Sequence, residues 1–276
     1  GNGRFSRSLK AGGADLWLSS FQGTWSDYDN DGDPDLFVAN DYAPDYVFRN
    51  EEGRLVDVTN EVAGNELEGF GMGVSLGDYN NDGFLDPYFT YMYSKAGSRI
   101  TKMFDGLEKR MYEGVKGNKL LRNTGSKFQP VNCEVSQAGW SWGGQFADFD
   151  NDGVLDLYVA SGVYTPPSGT ETEVDVGSSL CRAVVRSDSN ISKQFSEEGV
   201  DVRQYGVMPG VIDTSKKVDG NPVLRSHSFS GKESNSVFWN QGGEAFKDIS
   251  GLTGLDSLAD GRAFAFFDFD RDGRND

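Results

Sequence analysis

The chain is organised around residues 148–156, Asp-Phe-Asp-Asn-Asp-Gly-Val-Leu-Asp, which lead directly into the apolar run Leu157-Tyr158-Val159-Ala160. Aspartates occupy positions 1, 3, 5 and 9 of this nine-residue loop, and a glycine stands at position 6, where the backbone has to turn sharply. Alternate side chains of a tight loop point toward a common centre, and Ca²⁺ prefers oxygen ligands. The stretch therefore predicts an oxygen cage for a hard cation, followed by a strand.

The same loop occurs four times, and its other copies begin at Asp27, Asp78 and Asp268. Asn-Asp-Gly clusters also occur in ordinary turns, but a turn alone does not require a carboxylate at position 9 in every copy. The repetition therefore favours three to four Ca²⁺ ions. The predicted side-chain ligands are Asp27, Asp29, Asp31 and Asp35 in loop 1, Asp78, Asn80, Asp82 and Asp86 in loop 2, Asp148, Asp150, Asp152 and Asp156 in loop 3, and Asp268, Asp270, Asp272 and Asp276 in loop 4.

A helix-loop-helix calcium site would differ from these loops at position 12, where its longer loop closes with a bidentate glutamate. Here position 12 is Val38, Phe89 or Val159, and each of these residues lies inside an apolar stretch. The ligand set closes at position 9 instead, so we expect a strand after each loop.

Each loop belongs to a repeat of about 50 residues, because the loops start 51, 70 and 120 residues apart and two of the intervals contain insertions. A glycine-rich strand precedes the loop and a second strand follows it. A third strand ends in asparagine (Arg49-Asn50, Arg122-Asn123, Trp239-Asn240), and a hairpin leads to a short fourth strand. This unit predicts an all-β fold, a β-propeller of four-stranded antiparallel blades, with roughly three and a half to four blades in residues 1–276.

The cation loop combined with the Arg-Asn strand pair resembles the FG-GAP or VCBS repeat of extracellular, integrin-alpha-like propellers. Residues 92–101 and 228–235 make the chain most similar to secreted repeat proteins that carry an ASPIC/UnbV domain, although no such domain is present here. The resemblance implies calcium binding and a role in adhesion. It also implies a weaker loop 2, where Asn80 replaces an aspartate. The further ligand that it implies is the carbonyl of position 7, which belongs to Asp33, Phe84, Val154 or Arg274.

Charge and hydropathy exclude several classes of partner. The formal net charge is −17, from 43 acidic and 26 basic residues, so the surface repels nucleic acid. No apolar run of 18 residues exists, so no membrane insertion is predicted. Weak calcium loops suit the calcium-rich space outside the cell, and we predict a secreted or cell-surface protein, with the periplasm as an alternative. Cys133 and Cys181 permit one disulfide or two buried thiols.

Two insertions interrupt the repeats. Residues 94–117 place Ile100, Met103, Phe104, Leu107 and Met111 at helical spacing, which predicts an amphipathic helix that packs on the propeller or, alternatively, binds a partner. Residues 161–234 show poor periodicity and predict a cap or long loop over one face. Position 276 is the ninth residue of loop 4, so we expect the chain to be part of a longer protein.

The sequence contains no recognisable catalytic motif, and its single histidine, His227, has no cysteine pair beside it. Trp140 and Trp142, with Tyr91 and Tyr93, predict either a sugar-binding groove or packing between blades. The leading hypothesis is a non-enzymatic binding, adhesion or scaffold module for a protein or glycan ligand. The alternatives are a carbohydrate-active enzyme similar to propeller polysaccharide lyases, and a structural subunit that assembles with other chains.

Overall fold

The computed structural model describes residues 16–102, 109–163, 232–243 and 245–272, together with 14, 107, 172–174, 212–218, 221–224 and 227–230. Within these residues the chain forms three four-stranded antiparallel sheets and a few short helices. The predicted all-β fold is confirmed: the sheets are consecutive blades of a partial β-propeller.

The first blade consists of β1 (Ser19–Ser26), β2 (Asp35–Asp41), β3 (Tyr46–Glu51) and β4 (Arg54–Asp57), and the second of β5 (Gly73–Gly77), β6 (Asp86–Thr90), β7 (Lys119–Asn123) and β8 (Phe128–Val131). The third begins with β9 (Ser141–Ala147) and β10 (Asp156–Ser161). The large insertion then contributes β11 (Thr172–Val174), β12 (Ile212–Val218), β13 (Asn221–Leu224) and β14 (His227–Phe229), which pair as β11 with β14 and β12 with β13. The third blade is completed by β15 (Ser236–Asn240) and β16 (Phe246–Asp248).

The strand order places every cation loop at the same end of the blades. Successive strands of a blade run antiparallel, and each loop joins the first strand to the second. We call this the cation end. Connections between second and third strands lie at the opposite end, and both insertions occur there, after β6 and after β10. We call this the insertion end. The first strands are neighbours, since β1 contacts β5 and β5 contacts β9.

Aromatic and aliphatic side chains fill the spaces between blades. Phe37 of the first blade and Phe89 of the second lie in one buried cluster, and Tyr88 and Leu157 lie in the cluster between the second and third blades. Each such side chain contributes roughly 1.5–3 kcal/mol when fully buried. Glycines on the first strands leave room for this packing: a Cβ on Gly77 would lie 2.7 Å from the Phe146 ring. The sequence prediction of small first-strand residues therefore has its reason in the neighbouring blade.

The short helices join or decorate the blades. They are α1 (Thr59–Val62), α2 (Lys95–Thr101), α3 (Lys109–Glu113) and α4 (Ser250–Thr253), and a 3₁₀ turn spans Glu134–Ser136. The described part of the insertion 94–117 contains two helices, and the turn-favouring pair Asp105-Gly106 lies between them in the sequence. Met111 is buried with Phe70, Met92 and Val115, so the described part of this insertion packs on the propeller. Met103 and Phe104 lie outside the described residues.

The stretch before loop 4 differs from the other first strands. Residues 261–267 run beside the third blade but form no strand among the residues that the structure describes. One backbone bond, from the Gly261 N–H to the Ser161 carbonyl at 3.1 Å, and ring contacts hold them: Phe264 lies edge-on to Tyr158 at 4.7 Å, and Phe266 lies edge-on to Phe149 at 5.0 Å. A ladder of backbone hydrogen bonds requires a second strand, whereas aromatic packing does not. Ring contacts can therefore hold residues 261–267 beside the blade without making them a strand.

Candidate metal centres

Each candidate metal centre is a loop closed by its own aspartate at position 1. In loop 1 the Asp27 carboxylate accepts the N–H of position 5 at 3.1 Å and the N–H of position 6 at 3.0 Å. Asp78 does the same in loop 2, at 3.0 and 2.9 Å, and Asp148 in loop 3, at 3.1 and 3.0 Å. The described part of loop 4 repeats the first of these bonds, from Asp272 to Asp268 at 3.0 Å. Four separate stretches of sequence therefore adopt one local geometry.

Positions 4 and 6 have the left-handed backbone that such a tight loop requires. The φ angles at position 4 are 56–65° for Asn30, Asn81, Asn151 and Arg271, and those at position 6 are 86–94° for Gly32, Gly83 and Gly153. Asparagine tolerates this region better than most residues, and glycine adopts it without steric cost. The Asn-Asp-Gly motif thus favours the loop shape in loops 1 to 3, and loop 4 adopts the same backbone at position 4 with Arg271.

The aspartate at position 9 is the buried member of the predicted ligand set in loops 1 to 3. The side chains of Asp35, Asp86 and Asp156 are at most 2% exposed. Burial raises the pKa of Asp35 to about 6 and that of Asp86 to about 7, and it also raises the pKa of Asp156. A buried carboxylate without a nearby cation is costly to ionise, and a divalent ion would hold it in the charged form.

The oxygens of these loops converge as a cation would require. Ligand atoms of positions 1, 3 and 9 lie within 4.8 Å of one another in loop 1 and in loop 3, and those of Asp268, Asp270 and Asp272 do so in loop 4. Two buried oxygens, Oδ1 of Asp29 and Oδ2 of Asp86, make no hydrogen bond. Unsatisfied buried oxygens are costly, so the donor set fits a hard cation such as Ca²⁺.

Loop 2 is the least complete of the described sites. Its Asp82 carboxylate accepts a hydrogen bond from Asn80 Nδ2 at 3.0 Å, and the same oxygen lies 3.2 Å from the Arg122 guanidinium. These donors compete with a cation for that oxygen, which agrees in direction with the weaker site expected from Asn80.

Position 5 stands apart from the convergent group in loops 1 and 3. Oδ1 of Asp31 accepts the N–H of Asp33 at 2.9 Å, and Oδ1 of Asp152 accepts the N–H of Val154 at 2.8 Å. In loop 4, Arg274 and Asp276 lie outside the described residues.

In each described blade, the structure brings one further residue to the cation site. It is the asparagine that the sequence had marked only as the end of the third strand. The backbone N–H groups of Asn50, Asn123 and Asn240 donate to Oδ1 of the position-9 aspartate of the same blade, at 2.6–2.8 Å. This bond holds one carboxylate oxygen; the other accepts the N–H of position 2 in loops 1 and 3, at 3.2 and 3.1 Å, and makes no hydrogen bond in loop 2. The recurrence of asparagine at the end of three third strands was the signal in the sequence.

The four aromatic residues considered for a sugar groove are divided: Trp140 and Trp142 remain in ring contact, with centroids 6.4 Å apart, whereas the two tyrosines have other partners. Tyr91 is fully buried, and its hydroxyl donates to Asp45. Tyr93 instead donates to Gln137 at 3.2 Å. Trp142 lies at the insertion end near the first strands of the blades, with the Phe21 ring 6.0 Å away and the Arg262 guanidinium 4.1 Å from its ring centre. The predicted groove is therefore replaced by a smaller aromatic and basic cluster.

The predictions for the two cysteines and for the single histidine concern residues that the structure describes only in part. Cys133 is a half-buried free thiol, and burial raises its pKa to about 11. Cys181, its candidate partner, and the side chain of His227 lie outside the described residues. The structure describes no helix long and apolar enough to cross a membrane.

Residues 27–89, from the first cation loop into the second strand of the second blade, match the FG-GAP-like repeat family. The chain is also similar to cartilage acidic protein 1 of Xenopus tropicalis. The two are 26% identical over 140 residues, which is 50% of this chain. The match spans 19% of the length of that relative, so it concerns a part of it only.

Proposed function

We propose that this chain is an extracellular binding or adhesion module, a β-propeller stabilised by calcium that presents a surface for a protein or glycan ligand. The observation that carries the proposal is the separation of its two ends. Cation loops occupy one end of the blades, and both long insertions leave from the other. Loops on a rigid scaffold are where binding residues usually lie.

Calcium has a structural role in this proposal. Each ion would be held by side chains of its loop and would neutralise the buried position-9 carboxylate. It would thereby fix the turn between the first two strands of a blade. Because the loops are well formed by their own hydrogen bonds, the ion binds a prepared site. We propose no proton transfer or bond cleavage at these aspartates, since a cation would keep them ionised.

The ligand surface is placed at the insertion end, close to the first strands. There Phe21 is 53% exposed, Arg262 is exposed, and the half-buried Trp142 lies between them. Tyr42, in the turn after β2 at the same end, is 59% exposed. Tryptophan, tyrosine and arginine are the residue types that dominate binding energy at interfaces. This cluster is consistent with a macromolecular ligand.

The proposal is tested by screening arrays of matrix proteins and glycans with the purified protein, in calcium and in chelator. Arg262→Ala should weaken the binding of any ligand that the screen identifies by about tenfold, equivalent to about 1.4 kcal/mol. Arg54→Ala is the matched control, because it removes the same charge from an exposed position in the hairpin strand at the cation end.

Equal losses in the two arginine variants would contradict the assignment of the surface. Incubation with acidic polysaccharides tests the proposed absence of catalysis, and formation of unsaturated products would replace the binding module with an enzyme.

A further inference from the structure

The asparagine at or next to the end of each third strand (Asn50, Asn123 or Asn240) contacts the cation loops through its side chain as well as its backbone. Its Oδ1 accepts the N–H of a glycine in the following hairpin, at 2.8–2.9 Å, which orients the amide. Its Nδ2 then donates to the carbonyl of position 8 in its own loop, at 3.1 Å for Asn50, 3.1 Å for Asn123 and 2.9 Å for Asn240.

The same amide also reaches into the preceding blade. Asn123 Nδ2 donates to the carbonyl of Tyr28 in loop 1 at 2.7 Å, and Asn240 Nδ2 donates to the carbonyl of Tyr79 in loop 2 at 2.7 Å. Both asparagines are fully buried. Tyr28 and Tyr79 stand at position 2 of their loops, between the predicted ligands at positions 1 and 3. One buried side chain therefore joins the ligand frame of one loop to that of the next.

A second contact crosses each of these two junctions on the surface. Asn30 Nδ2 donates to the carbonyl of Gly83 at 3.0 Å, and Asn81 Nδ2 donates to the carbonyl of Gly153 at 3.1 Å. Each bond runs from position 4 of one loop to position 6 of the following loop. The same pair of bonds, with the same atoms, thus occurs at both junctions.

We infer that these asparagines couple neighbouring cation sites, so that filling one loop raises the affinity of the adjacent loop. The inference rests on the proposed occupancy of the loops by calcium. An ion in loop 2 would draw in Asp86, whose other oxygen is bound to the Asn123 backbone. Fixing Asn123 fixes the Tyr28 carbonyl, and with it Asp27 and Asp29 on either side. By linkage, an ion in loop 1 favours loop 2 to the same extent.

A site-resolved calcium titration of the full protein tests the coupling. Glycine labelled with ¹⁵N provides probes, because the amides of Gly32 and Gly153 donate to the position-1 aspartates of loops 1 and 3, both at 3.0 Å. Asp78→Asn with Asp82→Asn weakens loop 2; each amide keeps one oxygen acceptor, so position 78 retains one of the two backbone bonds that Asp78 accepts. The apparent affinities of loops 1 and 3 should then fall roughly fivefold or more.

The double variant Asn30→Gly with Asn123→Ala breaks the junction between loops 1 and 2, together with the side-chain bonds that Asn123 makes within its own blade. In that background, weakening loop 2 should no longer change the Gly32 titration, whereas the Gly153 titration should still respond through the intact second junction. Asn50→Ala is a matched control: Asn50 makes the contacts within its blade, but the described residues give it no bond to another blade. This control should lower the affinity of loop 1 and preserve its dependence on loop 2.

If weakening loop 2 in the otherwise unchanged protein leaves the calcium titrations of Gly32 and Gly153 the same, the inference is overturned. The proposed calcium sites would not be affected by that result. Persistence of the Gly32 response in the double variant would also overturn the role of the asparagines. If calcium shifts neither amide, both the inference and the proposed calcium-stabilised function fail.

Discussion

Replacing Asp86 by asparagine should have opposite effects on stability in the presence and absence of calcium. Asp86 is fully buried, its Oδ1 accepts the Asn123 N–H at 2.6 Å, and its Oδ2 makes no hydrogen bond. Burial raises its pKa from 3.8 to about 7. Without calcium at pH 8, ionisation of this group in the folded protein costs up to about 4 kcal/mol, at 1.36 kcal/mol for each pKa unit.

An asparagine at this position removes the ionisation cost and keeps an oxygen for the Asn123 N–H. Its new amide lacks a partner, which costs about 1–3 kcal/mol. The net expectation for the metal-free protein at pH 8 is therefore stabilisation by roughly 1–3 kcal/mol. In saturating calcium the substitution removes a charged ligand and should destabilise the protein.

The pH dependence gives an independent sign. The folded-state pKa of Asp86 lies above its value in the unfolded chain, so the folded protein binds more protons between about pH 4 and pH 7. The stability of the metal-free protein should consequently fall as pH rises through this window and level off above it. At pH 5, where folded Asp86 is protonated, most of the advantage of Asp86→Asn should disappear.

Urea unfolding of chelated and calcium-loaded protein at pH 5 and pH 8 measures these differences. Asp156→Asn serves as the control, because Oδ2 of Asp156 already accepts the Phe149 N–H at 3.1 Å and an amide there would oppose a second donor. Its stabilisation without calcium should be smaller. Destabilisation of the metal-free protein at pH 8 by Asp86→Asn would refute the argument that the loops carry buried charge awaiting a cation.

Three further predictions concern the blades. Gly77→Ala should lower the unfolding free energy by about 1–3 kcal/mol, because the new Cβ would lie 2.7 Å from Phe146. Gly251→Ala is the control: its new Cβ would meet no atom within 4 Å, and its unfolding free energy should stay within about 0.5 kcal/mol of the unchanged protein. Thermal melts compare the two variants. Tyr88→Phe removes a buried hydroxyl that donates to the Val135 carbonyl at 2.8 Å and accepts from Asn118 Nδ2 at 2.7 Å. Chemical denaturation should show an unfolding free energy lower by about 1–3 kcal/mol. An unchanged unfolding free energy would contradict these hydrogen bonds. Cys133, with its raised pKa, should react with iodoacetamide at pH 7.5 much more slowly in the folded protein than in urea, as mass spectrometry would show; equal rates would refute its burial.

Much of the fold was predictable because its causes are local. Asn-Asp-Gly produces the left-handed turn at positions 4 and 6, and the aspartate at position 1 closes the loop within five residues. Apolar alternation and hairpin glycines mark the remaining strands of each blade. The choice between a sugar groove and packing for the aromatic residues could not be made from the sequence, because it depended on distant neighbours. Tyr91 directly follows β6 and Trp142 lies in β9 of the next blade, yet one is in the core beside Asp45 and the other contacts Phe21 of the first blade.

By itself, the sequence determined the repeated unit, the four acidic loops and the direction of the chain through each blade, since all of these follow from interactions between residues close in sequence. The tertiary structure decided which groups surround each loop. Asn123 reaches Tyr28 across 95 residues, and Asn240 reaches Tyr79 across 161. Insertions change such separations from blade to blade, so no fixed spacing records these contacts. They exist because stacked blades bring the end of one third strand against the cation loop of the blade before it.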